Sequence, residues 1–278
     1  LSQHIGAPAK AIVKVGDEVL VGQKIAEAGG FISAVVVSSV SGKVKKIEPR
    51  VTAGGAKSIS IVIENDGQYT AIEGLGEDRD ATKLSKQEIR DIVREAGIVG
   101  LGGAGFPTNV KLTPKDESKI DYIIVNGAEC EPYLTCDYRM MIEEPERLIG
   151  GLKVMLQLFE NAKAVIGVEN NKPKAIEKLR ALVKDEPKIS VEALRTKYPQ
   201  GGERSLIYAV TGREINSSML PADAGCVVDN VNTVMAIYDA VCKRTPILER
   251  VITITGDAIK EPQNFKVRTG MNYNDIIE

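Results

Sequence analysis

The chain has 278 residues, enough for about two domains, and its 43% hydrophobic and 27% charged residues can bury a real core and exclude intrinsic disorder. Thirty-six basic against 38 acidic side chains give a net charge of −2, with no basic excess for gripping a phosphate backbone, so no nucleic-acid partner is expected. The longest apolar run, Phe31 to Val40, is broken by three serines and falls short of the roughly 20 residues that span a bilayer. The sequence begins at Leu1 without an initiator Met or a signal-like segment, and a piece of a longer protein is expected.

From Ile12 to Ile63 short β-branched runs alternate with Gly and Asp turns (Ala11 to Val15, Val19 to Val21, Lys24 to Ala28, Ala34 to Val37, Gly42 to Ile47, Ser58 to Ile63), which predicts a small all-β unit. Its phrases Val15-Gly16-Asp17 and Val40-Ser41-Gly42-Lys43-Val44 resemble the biotinyl/lipoyl barrel-sandwich family. In that family a carrier lysine stands in a hairpin where this chain has Phe31 and Ile32, so the resemblance implies a structural or docking module without a swinging arm.

After the acidic, glycine-containing stretch Glu73 to Asp80 the pattern turns helical. Ser85 and Glu88 have capping-box spacing, Leu84 and Ile89 supply a hydrophobic staple, and Gly97 should end the helix they start. Tyr122 to Val125, Ala164 to Val168 and Ile189 to Leu194 read as buried strands, and Pro145 to Glu160, Pro173 to Lys184 and Glu203 to Val210 as helices. That alternation predicts an α/β sandwich with a largely parallel sheet. A further helix is expected from about Asn230 to Lys243 with Asp229 as its N-cap. A strand at Val251 to Thr255 would then open a last, truncated unit. The expected domains are 1–75, 76–246 and 247–278.

Four cysteines, Cys130, Cys136, Cys226 and Cys242, lack the close spacing of metal or cluster ligands and read as reduced thiols, and the one histidine, His4, leaves no multi-His metal site and argues against a Ser-His-Asp triad. No metal site and no acid–base catalytic residue are expected.

Two segments carry chemistry. Gly100-Leu101-Gly102-Gly103-Ala104-Gly105-Phe106-Pro107-Thr108 has four glycines in six positions, whose bare backbone can approach a ligand and aim successive N–H groups at an anion or flat ring. Lacking Lys-Ser/Thr after the glycines and following a helix, it is neither a Walker loop nor a Rossmann fingerprint. The second segment, Asn126-Gly127-Ala128-Glu129-Cys130-Glu131-Pro132, stands at the carboxyl end of a strand, where α/β sheets bind ligands. Asn126 can bond a heterocycle edge, and paired Glu129 and Glu131 suit ribose hydroxyls or a developing positive charge; a solvated acidic turn is the plain alternative.

Together with Lys111, these segments resemble the FMN-binding, NADH-oxidising subunit of respiratory complex I. They resemble more closely the C subunit of the Rnf electron transport complex, where the same Asn-Gly-Ala-Glu-Cys-Glu-Pro-Tyr wording follows a lipoyl-like domain. The resemblance covers essentially the whole chain. It implies an N-terminal barrel-sandwich (lipoyl-like) β domain, an α/β sandwich flavin domain and, from Val251, the start of a β-grasp (SLBB) domain. It further implies FMN as cofactor, NADH as substrate, and two [4Fe-4S] clusters only in the full-length protein. The implied partners are the other subunits of a membrane complex and, indirectly, ferredoxin, with the chain peripheral on the cytoplasmic face of the cell membrane.

By the same resemblance Gly100, Gly102, Gly103 and Gly105 wrap the flavin and its phosphate, Lys111 donates to that phosphate, and Asn126 bonds the isoalloxazine. Phe106 walls the nicotinamide or adenine, unless it anchors the core, and Glu129 and Glu131 face the dinucleotide. Glu203 remains from a Gly-Glu-Glu motif whose first glutamate is Gly202 here, and Asp229-Asn230 matches an Asn-Asn pair at FMN. Ala128 stands where complex I has an Asp, and Cys130 replaces a Gly. A distant resemblance to the A subunit of the sodium-translocating quinone reductase implies the rival reading, a non-catalytic scaffold with a vestigial flavin fold.

Overall fold

A computed structural model of the chain describes residues 1–52 and 54–277. Packing divides the chain into two compact units, one of residues 1–110, 239–250 and 267–278 and the other of residues 111–238 and 251–266.

In the first unit six short strands, β1 (Lys10–Ala11), β2 (Glu18–Val19), β3 (Lys24–Glu27), β4 (Val36–Val37), β5 (Gly42–Val51) and β6 (Lys57–Asn65), form two three-stranded antiparallel sheets, β1-β3-β4 and β2-β5-β6. Inward-facing Val13, Val19, Ile25, Ala26, Val36 and Val44 are the core that closes one sheet on the other. The hairpin that would bear a carrier lysine presents Phe31, 85% exposed. The sole histidine, His4, is buried, and its Nε2 accepts the Ala34 N–H at 3.1 Å, a structural task.

Helix α1 (Lys86–Glu95) begins as its sequence predicts. Ser85 accepts the Glu88 N–H, Glu88 accepts the Ser85 N–H at 2.7 Å, and Gly97, at φ +67°, turns the chain away where a side chain would meet Val35 O. Replacing Ser85 by Ala should cost about 1 kcal/mol in a urea titration, the usual worth of an N-cap. The glycine loop follows α1 and runs into the single turn α2 (Thr108–Lys111).

The second unit holds a four-stranded parallel sheet in the order β10-β7-β8-β9: β7 (Tyr122–Gly127), β8 (Lys163–Glu169), β9 (Ile189–Leu194) and β10 (Cys226–Asn230). Ile123, Ile124 and Val125 are wholly buried, as a central strand covered on both faces requires. The crossovers from β7 to β8 through α4 (Pro145–Leu156) and from β8 to β9 through α5 (Pro173–Leu182) step one way across the sheet. The crossover from β9 through α6 (Glu203–Thr211) returns past them to β10, so right-handed connections put α6 on the opposite face. There Leu206 and Ile207 pack with Ile124, Leu194 and Val228.

Several elements go beyond the sequence expectations. Besides the turn α2, helix α3 (Cys136–Glu143) precedes α4; β10 occupies a stretch of only five residues with no predicted strand; and the strand expected from Val251, β11 (Glu249–Ile254), pairs with an unpredicted β12 (Gln263–Arg268) as a two-stranded sheet. Helix α7 (Val231–Cys242) corrects the cap assignment, because Asn230 Oδ1 takes the Asn232 N–H at 2.8 Å while Asp229 lies inside β10. By packing, α1 and the glycine loop group with the residues of the β sandwich.

Candidate functional site

In the first unit the glycine loop is a closed turn. Gly100 N–H donates to Phe106 O at 2.9 Å, and Val99 bridges Pro107 across the base. Between them no acceptor among the described residues meets the N–H groups of Gly102, Gly103, Ala104 and Gly105. Gly102 and Gly103 are exposed, and a Cβ built on Gly103 meets nothing within 4 Å. Gly105 differs: its φ is +69°, and an added Cβ would come within 3.1 Å of Gln3 O and His4 Cα. Ile5 N–H donates to Ala104 O at 3.1 Å, so the N-terminal segment backs the loop. Phe106 is half-buried, and two residues on the Thr108 hydroxyl is buried without a hydrogen-bond partner.

In the second unit the candidate residues gather at the carboxyl ends of β7 and β10. These strands are register partners down to Asn126 opposite Asn230; β8 and β9 extend the sheet on one side of β7 and the return crossover brings β10 to its other side, a switch of the kind where open α/β sheets bind ligands. Asn126 donates from Nδ2 to Gly201 O at 2.8 Å and accepts the Ala128 N–H at 3.2 Å, leaving one N–H and one lone pair for a ligand. Cys130 lies on the same staple, its Sγ accepting the Gly201 N–H at 3.3 Å. The close fit explains Gly201, where a Cβ would fall 2.4 Å from Ala128 O.

Asp229 is 1% exposed, and burial pushes its carboxyl up from the usual range while the Lys111 ammonium pulls it back. Lys111 Nζ sits 3.4 Å from Asp229 Oδ1 and 3.8 Å from Glu203 Oε1, and donates to Val228 O at 2.7 Å. Both Asp229 oxygens lack a hydrogen bond of good geometry. The lysine assigned to an external phosphate thus serves first as counter-charge to an interior acid. Glu203, on the first turn of α6, is exposed.

Glu129 also has a task other than facing a dinucleotide. Its Oε1 accepts the Asp137 N–H at 2.9 Å and its Oε2 the Tyr138 N–H at 3.2 Å, so it caps the start of α3, where backbone donors are otherwise unsatisfied. Burial beside Asp137 and Glu129 pushes the Cys136 thiol up to about 11, and its Sγ donates to Glu129 Oε1 at 3.6 Å. Asp137, which sequence reasoning missed, accepts from Asn230 Nδ2 at 2.7 Å and Asn232 Nδ2 at 2.6 Å and so fixes the Asn230 amide; an acid in a helix first turn carries no sequence signal for that role. Lys172, also missed, donates to Glu129 O at 3.2 Å and pairs with buried Glu169 at 3.5 Å. Glu131 is exposed and lines an open cleft of about 460 Å³ with Tyr133, Tyr138, Lys172, Thr196 and Tyr198.

Within the first unit, the loop's unpaired N–H groups and the open space at Gly103 fit the phosphate of a flavin nucleotide. Within the second, Asn126 keeps free hydrogen-bonding capacity beside a buried acid short of hydrogen bonds, which fits the edge of a heterocycle.

Residues 93–239 match the family model of the Nuo51 FMN-binding domain, and residues 1–68 that of the RnfC barrel sandwich hybrid domain. The chain is 49% identical over 276 residues to the C subunit of the proton-translocating ferredoxin:NAD(+) oxidoreductase complex of Clostridium ljungdahlii, covering 99% of this chain and 60% of that protein. It is 46% identical over 283 residues to the C subunit of the Na(+)-translocating ferredoxin:NAD(+) oxidoreductase complex of Acetobacterium woodii, covering 100% and 63%. It therefore spans under two thirds of the length of these curated relatives. Among solved structures, an NAD+-reducing [NiFe]-hydrogenase in the air-oxidised state superposes with a TM-score of 0.62 at 24% identity over 72% of this chain and 39% of that one, a likeness of fold.

Proposed function

The chain belongs to the Nuo51 FMN-binding domain family, and on that premise we propose that it is the flavin-bearing part of an Rnf-type C subunit that oxidises NADH. FMN, when bound, supplies the capacity to accept a hydride and release electrons singly. The observation that carries the reading is the glycine loop, a turn closed at Gly100 and Phe106 with four consecutive unpaired N–H groups, inside the stretch that matches the flavin family.

This chain's own residues would bind and orient. Gly100, Gly102, Gly103 and Gly105 let backbone donors reach a phosphate without Cβ interference. Asn126 offers its remaining N–H and lone pair to a ring edge, while Asn230, held by Asp137, fixes the start of α7. Phe106 offers a half-buried ring for stacking, and Glu131 faces the open cleft, available to ribose hydroxyls. No proton transfer by a side chain is required, since hydride transfer depends on placing two rings in contact.

In the same proposal β11 and β12 open a β-grasp domain. The two [4Fe-4S] clusters belong to the length of the relatives that this chain does not span, and electrons pass through them to ferredoxin by way of the other subunits of a membrane complex. No helix among the described residues is long and apolar enough to cross a membrane, in keeping with a peripheral place, which we assign to the cytoplasmic face. The scaffold reading is not adopted, because the relatives are named as parts of oxidoreductase complexes.

Reconstitution with FMN followed by anaerobic NADH titration tests the proposal. Retention of the flavin and bleaching of its visible absorbance by NADH are expected; a chain that retains no flavin returns the scaffold reading.

A further inference from the structure

The glycine loop has a cation that the sequence does not announce. Arg250, at the second position of β11, donates from Nη2 to Leu101 O at 2.8 Å, and both residues belong to the first unit. The side chain is exposed, and no carboxylate among the described residues lies within ion-pair distance of it. Its neighbour Glu249 pairs with Arg268 at 3.8 Å instead. One N–H of the guanidinium fork is thus fixed on Leu101 O, the residue that leads into the unpaired N–H groups of Gly102 to Gly105, and the remaining donors meet no partner among the described residues. Lys111, by contrast, is held by Val228 O and faces Asp229 and Glu203.

A concave run of backbone N–H groups carries only partial positive charge; an arginine anchored at its rim adds a full one, with the planar fork that matches phosphate oxygens. We infer that Arg250 is the phosphate-binding cation of the glycine loop, closing on the phosphate of a nucleotide whose backbone donors are Gly102 to Gly105. The inference deepens the flavin reading and rests on it for the identity of the nucleotide. The anion is either the monoester of FMN or the pyrophosphate of the dinucleotide, which share anionic, non-bridging phosphate oxygens.

The test compares the 278-residue chain with its Arg250→Gln and Arg250→Lys variants, titrating each with FMN, riboflavin, ADP-ribose and inorganic pyrophosphate. Because Arg250 is exposed and makes a single hydrogen bond, both variants should keep the parent's circular dichroism and urea midpoint. The Gln variant should lose roughly thirtyfold in affinity for FMN, with riboflavin unchanged and the Lys variant between, if the monoester is the partner. A loss confined to ADP-ribose would identify the pyrophosphate of the dinucleotide instead. Equal affinity of parent and Gln variant for both nucleotides overturns the assignment. Should the parent bind neither flavin nor nucleotide, the flavin reading fails by itself. Pyrophosphate-induced shifts of the Gly102 and Gly103 amide resonances, present in the parent and absent in the Gln variant, would still support Arg250 as the anion's partner; shifts alike in the two, or absent from both, would overturn it.

Discussion

Replacing Gly103 by Val is expected to lower FMN affinity at least about a hundredfold while leaving the fold intact, a loss of about 2.7 kcal/mol of binding. Both halves follow from the loop. The Cβ position on Gly103 touches nothing in the protein, so the chain offers a side chain there open space, and the added bulk stands on the turn that carries the unpaired N–H groups. Equilibrium dialysis with FMN and a urea titration on the same sample measure the two halves. Gly105 is a poorer probe: a valine there must hold φ +69° and press on Gln3 O and His4 Cα, so affinity lost would be confounded with a distorted loop. An unchanged FMN affinity in the Gly103 variant would remove the loop from the binding site.

The largest stability effect is expected from Lys111→Met. It strips the counter-charge from Asp229, a fully buried carboxyl, and removing one partner of such a pair typically costs about 3 kcal/mol or more. The double variant Lys111→Met with Asp229→Asn should recover most of that loss, because no buried charge then remains. The pH dependence distinguishes this from lost packing. A carboxyl whose folded pKa is raised favours the folded state most below its unfolded value, near 4, and that advantage disappears as pH climbs toward the folded value. The wild-type contribution from Asp229 therefore falls with rising pH in that window. Without the lysine, which lowers the carboxyl's pKa, the fall should extend to higher pH, and with Asp229→Asn it should vanish. A Met variant whose stability tracks the wild type at every pH would show that Lys111 is no partner of Asp229.

Legibility in the sequence followed the range of the physics. The capping box at Ser85 and Glu88, the helix stop at Gly97 and the strand Ile189–Leu194 are local patterns, and the structure contains them at those residues, although that strand, expected to be buried, is an edge strand that exposes Ser190, Glu192 and Ala193. Helix α3 was hidden because it lacks a side-chain cap of its own; the cap comes from Glu129, seven residues upstream, across a turn. Strand β10 is short and carries an aspartate, which reads as surface until Lys111, more than a hundred residues away, is brought to it. The site divides in the same way. The glycine loop and the strand-end position of Asn126 were visible as motifs, whereas the task of Glu129 is set across a turn and those of Lys111, Asp137 and Arg250 by partners distant in sequence. The strand-end carboxylate pair marked Glu129, and the family resemblance marked Lys111, as available to a ligand; tertiary structure spends them first on a helix end and an interior acid.

The contact between Ile5 and Ala104 has a bearing on how such proteins are cut and recombined. Similarity places the flavin segment at residues 93–239 and stops the preceding module at residue 68, as though a clean joint lay between. Yet the edge of the glycine turn rests on the first few amino acids of that module. An expression boundary drawn at the joint would discard the backing of the turn together with the module, and a chimera that grafted a foreign module there would inherit a turn shaped for someone else's wall.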